Sequence, residues 1–180
     1  MIKRFFPLLS ALILTGIVMI SCSTEDPFRI PPPNFDSVPP AQSIQGMTPV
    51  QIEPGVEAYI HDEGYGDFFV TNRDNVEAYV TLRTDEGTVI FSSFANNRQD
   101  PSIVSMRFAG SIQNDFNFSV SLAYTPGFKA GIMGMKLGES RTLIVSPEKG
   151  FESAPAGFVN AKYSENTLSY EVRISRIFPD

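Results

Sequence analysis

Few residue types in this chain of 180 amino acids could carry nucleophilic or metal chemistry. The sequence contains one histidine, His61, one cysteine, Cys22, and no tryptophan. A serine or cysteine nucleophile activated by histidine would have to use His61, and a metal site with several histidine ligands is impossible. A disulfide within one chain is excluded because it needs a second cysteine. The composition therefore excludes several common classes of catalytic site.

His61 is followed directly by two carboxylates, Asp62 and Glu63, which could be imagined as a metal site. Consecutive side chains of a strand point to opposite faces, so the three groups cannot all converge on one ion there. We predict a solvated turn at this position, with no metal.

The single cysteine follows a segment with the three parts of a secretory signal. Two basic residues precede a mostly apolar run over residues 8–20, which is shorter than the ~20 residues that a transmembrane helix needs. The segment Met19-Ile20-Ser21-Cys22 resembles a bacterial lipobox, in which the cysteine is acylated after cleavage. The alternative is an ordinary cleaved signal with an incidental cysteine. We predict a signal peptide over residues 1–21 and lipid attachment at Cys22, which would anchor the protein in a bacterial cell envelope, on the periplasmic face of the outer membrane or on the cell surface.

The charge balance limits the possible partners. The chain has 20 acidic and 14 basic residues, for a net charge of -6, whereas a non-specific nucleic-acid binder needs a basic face. We therefore expect no nucleic-acid partner. Hydrophobic residues make up 42% of the chain, enough to form the core of one domain with a tail.

The tail is predicted over residues 22–50, as an acylated cysteine followed by a proline-rich tether. Residues 24–50 hold seven of the 14 prolines. Such segments favour an extended geometry of ~3.1 Å per residue, which predicts a spacer between the membrane and the domain. The alternative function is a ligand for a proline-binding module.

The predicted domain covers residues 51–180 and is rich in strand patterns. Residues 76–83 and 168–175 alternate apolar and polar side chains, which predicts strands with one buried face. Shorter strands are predicted over residues 56–60, 88–91 and 141–146.

One segment favours a helix, because Phe128, Ile132 and Met135 form a single apolar stripe at helical spacing. Asp85-Glu86-Gly87 predicts a hairpin turn, and residues 102–110 an extra strand. The fold class predicted from these elements is α+β, with an antiparallel sheet folded over one short helix.

Residues 128–139 read Phe-Lys-Ala-Gly-Ile-Met-Gly-Met-Lys-Leu-Gly-Glu, and a strand ending in Pro147 and then Gly150-Phe151 follow. This order resembles the signature of FKBP-type peptidyl-prolyl isomerases. Further segments resemble the family in the same order, namely residues 55–66, 74–80, 87–93 and 167–174. The resemblance covers about Gly55 to Ile177.

The resemblance implies a twisted antiparallel sheet wrapped around one short helix, and rotation about an X-Pro bond, whose barrier is about 20 kcal/mol. A polar solvent favours amide resonance, so an apolar pocket that removes water from the imide favours the twisted transition state. No cofactor or metal is needed. The implied partners are proline-containing polypeptide clients, and we expect a monomer.

The resemblance also implies the site residues. The catalytic pocket would comprise Phe128 as its floor, Tyr124 and Thr125 as the pair before it, Phe151, and Tyr170. The substrate-binding wall would comprise Val80, Ile90, Phe91, and Phe116 or Phe118. For the phenylalanines of the wall, and for Phe151, simple core packing is the alternative.

Three positions depart from the family pattern. Val80 stands in place of a tyrosine, Phe91 in place of an aspartate, and Phe151 in place of a tyrosine whose hydroxyl is lost. Two hypotheses follow: an isomerase that assists folding of envelope or secreted proteins, and a binding module of the same fold with little turnover. A third is an unrelated β-rich surface lipoprotein, which would lack the central helix.

A hydrogen-bond donor in the pocket would favour the isomerase over the binding module. The candidate donors are the hydroxyls of Tyr79, Tyr124 and Tyr163.

Overall fold

The computed structural model describes residues 32–106, 123–152, 154 and 157–179. The predicted signal peptide, the lipid attachment at Cys22, and the wall residues Phe116 and Phe118 lie outside these residues. Within the described ranges, no helix is long and apolar enough to cross a membrane.

The described part of the chain contains nine strands and one α-helix. The strands are β1 (Val50–Glu53), β2 (Val56–Asp62), β3 (Tyr65–Phe69), β4 (Asn75–Thr84), β5 (Val89–Ser92), β6 (Ser102–Ser105), β7 (Lys136–Leu137), β8 (Ser140–Val145) and β9 (Leu168–Phe178), and the helix is α1 (Pro126–Ile132). This architecture confirms the predicted α+β class.

The main sheet is antiparallel, with the order β1-β2-β8-β9-β4-β5. β6 pairs with the first half of β4, and β5 with its second half, so both lie along one edge of that strand. β3 and β7 form a separate two-stranded sheet. The hairpin predicted at Asp85-Glu86-Gly87 is present between β4 and β5, and Gly87 adopts a φ of 86° there.

The two strands with the clearest alternation form the centre of the sheet. Val80 pairs with Val172, and Leu82 pairs with Tyr170. These four side chains are almost completely buried. The alternation therefore predicted both the strands and the face that packs against α1.

Helix α1 lies on this buried face. The Thr125 hydroxyl caps its start, because Oγ1 accepts a hydrogen bond from the Phe128 N–H at 3.2 Å. The predicted stripe extended to Met135, but the helix ends at Ile132. The backbone leaves helical geometry at Met133, whose ψ is 136°, and Gly134 follows with a φ of 73°, which a right-handed helix does not contain. Met135 is still fully buried, beyond the helix.

The described part of the proline-rich segment contacts the domain. Asn34 N–H donates to Oδ1 of Asn96 at 2.8 Å, and the Asn96 N–H donates back to the Asn34 carbonyl at 2.7 Å. The Ser37 hydroxyl donates to the Phe94 carbonyl at 2.6 Å. The described residues from Pro33 onward accordingly belong to one compact unit.

The same segment continues over the face of the sheet that points away from α1. Arg83 on β4 forms an ion pair with Glu171 on β9 at 2.5 Å, and its Nη2 donates to the Pro39 carbonyl at 2.5 Å. The Gln42 N–H donates to the Glu171 carboxylate. These contacts explain why Arg83 is only 7% exposed on the outer face of the sheet.

Candidate functional site

An apolar cleft of about 740 Å³ lies beside the sheet edge formed by β5 and β6. Its described lining includes Ile90 and Phe91 of β5, Ile103 of β6, Ala123 and Tyr124 before α1, and Val159 and Asn160 after β8. Ile103 is 61% exposed and Val159 is 58% exposed, so both present apolar surface to solvent. An exposed apolar cleft of this size suits a peptide segment with a small apolar ring.

A stack of aromatic rings lies under the cleft. The Tyr124 ring lies nearly parallel to the Phe128 ring, with centroids 4.9 Å apart and an angle of 12°. Tyr170 packs against Phe128 at 4.9 Å and 37°, and Phe91 approaches Tyr124 edge-on at 6.2 Å and 76°. Phe128 has no exposed surface, whereas Tyr124 lines the cleft.

A buried hydrogen-bond network fixes the backbone before α1. The Tyr170 hydroxyl donates to the Ala123 carbonyl at 2.7 Å, and it lies 3.0 Å from the Thr125 hydroxyl. Because Tyr170 has only one hydroxyl proton, the Thr125 hydroxyl is the donor in the second contact. Burial raises the pKa of Tyr170 well above its usual value, which keeps it a neutral donor.

The structure separates the predicted site residues into two groups. Ile90, Phe91 and Tyr124 line the cleft. The remaining described residues are buried in the core, namely Val80, Thr125, Phe128, Phe151 and Tyr170. Their contact with a substrate stays a prediction.

The surroundings of Phe151 are those of a core residue. It is fully buried, and its ring lies 6.0 Å from the ring of Phe158. Val80 is also fully buried on the inner face of β4. The departures at these two positions therefore concern buried core residues.

Sequence reasoning missed Val159 and Asn160 on one side of the cleft. Both lie in an irregular loop without periodicity, so no pattern in the sequence could place them. Ile103 was missed as a lining residue as well, although the extra strand predicted over residues 102–110 includes it. The structure confirms this strand over Ser102–Ser105.

The three candidate hydroxyls lie in different places. Tyr124 lines the cleft, although its hydroxyl oxygen is buried. Tyr79 stacks on Phe94 at 5.7 Å and lines a different pocket of about 510 Å³, on the outer face of the sheet. Tyr163 packs partly buried against the core, with the Lys162 amine 4.9 Å from its ring centre. Of the three residues, Tyr124 alone is in the described lining of the cleft.

The described lining of the cleft carries no carboxylate, ammonium or guanidinium group. Across the described ranges, no group of three histidine, cysteine, aspartate or glutamate side chains could hold a metal ion. His61 lies within β2, one residue before its end, rather than in a turn, and its Nε2 lies 2.8 Å from the Thr142 hydroxyl. The cleft is thus suited to binding and desolvation of a neutral group.

The chain matches a known protein family. The family model for FKBP-type peptidyl-prolyl cis-trans isomerases matches residues 66–175. No curated protein matches the sequence significantly.

Several solved structures share the fold. The N-terminal domain of FKBP42 from Arabidopsis thaliana is 18% identical, with a TM-score of 0.57, over 79% of this chain and 99% of that one. A structure of the three FKBP domains of wheat FKBP73 is 16% identical, with a TM-score of 0.51, over 74% of this chain and 50% of that one. FkpA from Escherichia coli is 17% identical, with a TM-score of 0.52, over 70% of this chain and 49% of that one.

The chain therefore spans about half the length of the wheat and Escherichia coli proteins. At these identities the likeness shows the fold alone, while the family model covers well over half of the 180 residues. With the antiparallel sheet and the single described helix in agreement, the chain belongs to the FKBP-type peptidyl-prolyl cis-trans isomerase family.

Proposed function

We propose that this chain is a lipid-anchored peptidyl-prolyl cis-trans isomerase of the bacterial cell envelope, which assists the folding of envelope or secreted proteins. Family membership and fold support the reaction. The lipobox-like segment ending at Cys22 supports the anchor and the location. The observation that carries the proposal is the apolar cleft lined by Ile90, Phe91 and Tyr124.

In this proposal the cleft lowers the rotation barrier by desolvation and positioning. The prolyl ring of a client enters the cleft and packs against Phe91 and Tyr124, and the imide loses its water there. Loss of water weakens the polar resonance form of the imide, so the twisted geometry becomes less costly. Ile103 and Val159, exposed beside the entrance, contact the residues that flank the proline.

The network around Tyr170 supports this function by holding the cleft in shape. Its hydroxyl fixes the Ala123 carbonyl, and Thr125 caps α1. Tyr124 lies between these two residues, so its backbone has little freedom. A wall that is already in place does not have to be ordered when the client binds.

Activity is tested with soluble protein that starts at Ser23. We expect it to accelerate isomerisation of short X-Pro peptides and refolding of a protein limited by proline isomerisation. Phe91→Ser should lower the activity because it removes an aromatic wall. Phe68→Ser is the matched control, since Phe68 is 73% exposed and lies in β3, outside the cleft lining. No acceleration of either substrate would contradict the proposed reaction.

The second candidate is a binding module that grips unfolded or partner chains without appreciable turnover. One specific observation favours it: Tyr124 covers Phe128, the ring that the family resemblance assigns to the pocket floor. The same assays separate the two functions. Suppression of client aggregation without faster isomerisation would support the binding module.

The anchor is tested by labelling cells with a radioactive fatty acid. The full chain should incorporate the label and fractionate with membranes, whereas Cys22→Ser should do neither. Protease treatment of intact cells then distinguishes the cell surface from the periplasmic face. Label in the Cys22→Ser variant would contradict attachment at this residue.

A further inference from the structure

Tyr124 separates the aromatic core of this domain from its cleft. It lines the cleft and stacks on Phe128 in a nearly parallel orientation at 4.9 Å. Phe128 has no exposed surface and is covered from another side by Tyr170. A ligand in the cleft therefore meets Tyr124 first.

We propose that Tyr124 is the specificity-determining residue of the cleft: a bound X-Pro segment contacts its ring instead of Phe128, and the ring limits the depth of the cleft. This inference rests on the proposed peptide-binding function of the same site. In this role the Tyr124 ring excludes ligands that would reach deep into the cleft and admits slender, exposed X-Pro segments.

Contacts on more than one side hold the Tyr124 ring in place. Phe128 supports one face, Phe91 packs edge-on, and only 5% of the residue is exposed. The residues on both sides are fixed as well, since the Ala123 carbonyl accepts from Tyr170 and Thr125 caps the helix. Displacement of the ring would break two aromatic contacts, so a ligand that needs the space above Phe128 binds weakly.

The size of the Tyr124 ring determines the cavity that its truncation would create. A phenol ring is slightly larger than the five-membered ring of proline. Truncation at residue 124 would leave an apolar space between Phe128 and Phe91 that a prolyl-type ring fills. Apolar cavities of this kind bind apolar ligands of matching shape.

The first experiment measures binding by calorimetry with two probes, the peptide Ala-Leu-Pro-Phe and a macrolide that fills FKBP-type pockets. Tyr124→Val should bind the macrolide at least about tenfold more tightly than the natural chain, the scale expected when an apolar ring gains a buried site. Tyr124→Phe keeps the ring and should bind as weakly as the natural chain. Tyr65→Val is the control for loss of a tyrosine, since Tyr65 is 66% exposed in β3.

The second experiment creates no cavity, so it remains informative where the Tyr124→Val variant does not fold. The chain has no tryptophan, so Tyr124→Trp and Phe128→Trp each introduce a single fluorescent reporter. The peptide should shift the emission of the reporter at residue 124 and leave the reporter at residue 128 nearly unchanged. An equal or larger response at residue 128 would overturn the proposal, because it means that the ring of residue 124 moves aside.

The outcomes also separate this inference from the proposed function. A natural chain that binds the macrolide as tightly as Tyr124→Val refutes the role of Tyr124, even where the chain is an active isomerase. A natural chain without isomerase activity, together with tight binding by Tyr124→Val, supports the role of Tyr124 and refutes the proposed activity. A folded Tyr124→Val protein that binds neither probe more tightly also refutes the inference.

Discussion

Tyr170 connects the last strand to the segment that forms the bottom of the cleft. Its hydroxyl donates to the Ala123 carbonyl at 2.7 Å and accepts from Thr125 at 3.0 Å, in a fully buried site. Removal of this hydroxyl in Tyr170→Phe leaves a buried carbonyl without this donor. We expect the free energy of unfolding to fall by about 1–3 kcal/mol at neutral pH, measured by urea denaturation. An unchanged midpoint would show that the network does not stabilise the fold.

The same residue predicts a dependence of stability on alkaline pH. Burial raises the pKa of Tyr170 in the folded chain, so above pH ~10 only the unfolded chain ionises this group. Ionisation then favours unfolding, and the contribution is at most about 1.4 kcal/mol per pH unit. Below pH ~10 both states are protonated and the contribution is constant. Between pH 10 and 12, Tyr170→Phe should therefore lose less stability than the natural chain, and equal losses would contradict the buried, protonated phenol.

At the scale of residues, the sequence pointed to three residues that line the cleft. The family resemblance placed Ile90, Phe91 and Tyr124 in the site, and all three line the cleft. It could not show that Tyr124 stacks on Phe128, because ring orientation depends on tertiary packing. Asn160 could not be found either, since its position depends on a loop with no periodic pattern.

At the scale of elements, α1 lies unusually close to the sheet. A Cβ atom added at Gly127 would clash with the Val145 side chain and would lie 3.0 Å from both Cβ and the carbonyl oxygen of Lys149. At Gly131 the added Cβ would clash with Leu143. The two glycines that lower the helix propensity are therefore needed for packing.

Gly127→Ala tests whether close packing or helix propensity dominates at this position. Propensity alone would stabilise the variant by up to about 1 kcal/mol. We expect the clash to dominate and to lower the free energy of unfolding by about 1–3 kcal/mol. Ala130→Gly, at a half-buried position of the same helix, should cost about 1 kcal/mol by propensity. Stabilisation by Gly127→Ala in thermal unfolding would contradict the close contact.

A buried ion pair joins the end of α1 to β8. The Glu139 carboxylate accepts from Arg141 and, at 2.7 Å, from the Lys136 N–H. Arg141 Nη1 also donates to the Gly131 carbonyl at 3.0 Å. The Met-Lys-Leu-Gly-Glu segment that carried the family resemblance therefore has a structural role as well.

Glu139→Ala should be strongly destabilising, because it leaves Arg141 buried without its carboxylate partner. The expected loss in the free energy of unfolding is about 3–5 kcal/mol. Glu53→Ala is the matched control, since the Lys149–Glu53 pair is partly exposed and should contribute less than about 1 kcal/mol. Similar losses in the two variants, measured by chemical denaturation, would contradict the difference in burial.

Whether a strand could be predicted from the sequence depends on whether one of its faces is buried. β8 and β9 bury one face against α1, and β4 buries the same face of the sheet in the core, so their alternation is visible in the sequence. The five residues of β3 are all exposed, and β3 is registered with β7 through Tyr65 and Phe69 only. Such a strand leaves no alternating pattern, and the small β3–β7 sheet was accordingly not predicted.

At the scale of the whole molecule, the segment before β1 connects the outer face of the sheet with the cleft. Pro33 contributes to the cleft lining, and Ser37 holds the backbone at Phe94. Farther along, the Pro39 carbonyl and the Gln42 N–H contact the Arg83–Glu171 pair. Composition indicated a spacer, and these particular contacts could not be read from it because they depend on side chains of distant strands.

A truncation tests whether this segment stabilises the domain. A chain that starts at Pro49 keeps β1 but loses the contacts of residues 33–42, whereas a chain that starts at Pro33 keeps both. The five hydrogen bonds described above are lost, at about 0.5–1 kcal/mol each, so the free energy of unfolding of the shorter chain should be lower by about 2.5–5 kcal/mol. Its affinity for X-Pro peptides should also fall, because Pro33 leaves the cleft lining and the Phe94 loop before β6 loses its support. Ser37→Ala in the longer chain should reproduce about 1 kcal/mol of the loss. Equal stability and equal peptide affinity of the two chains would show that residues 33–42 act only as a spacer.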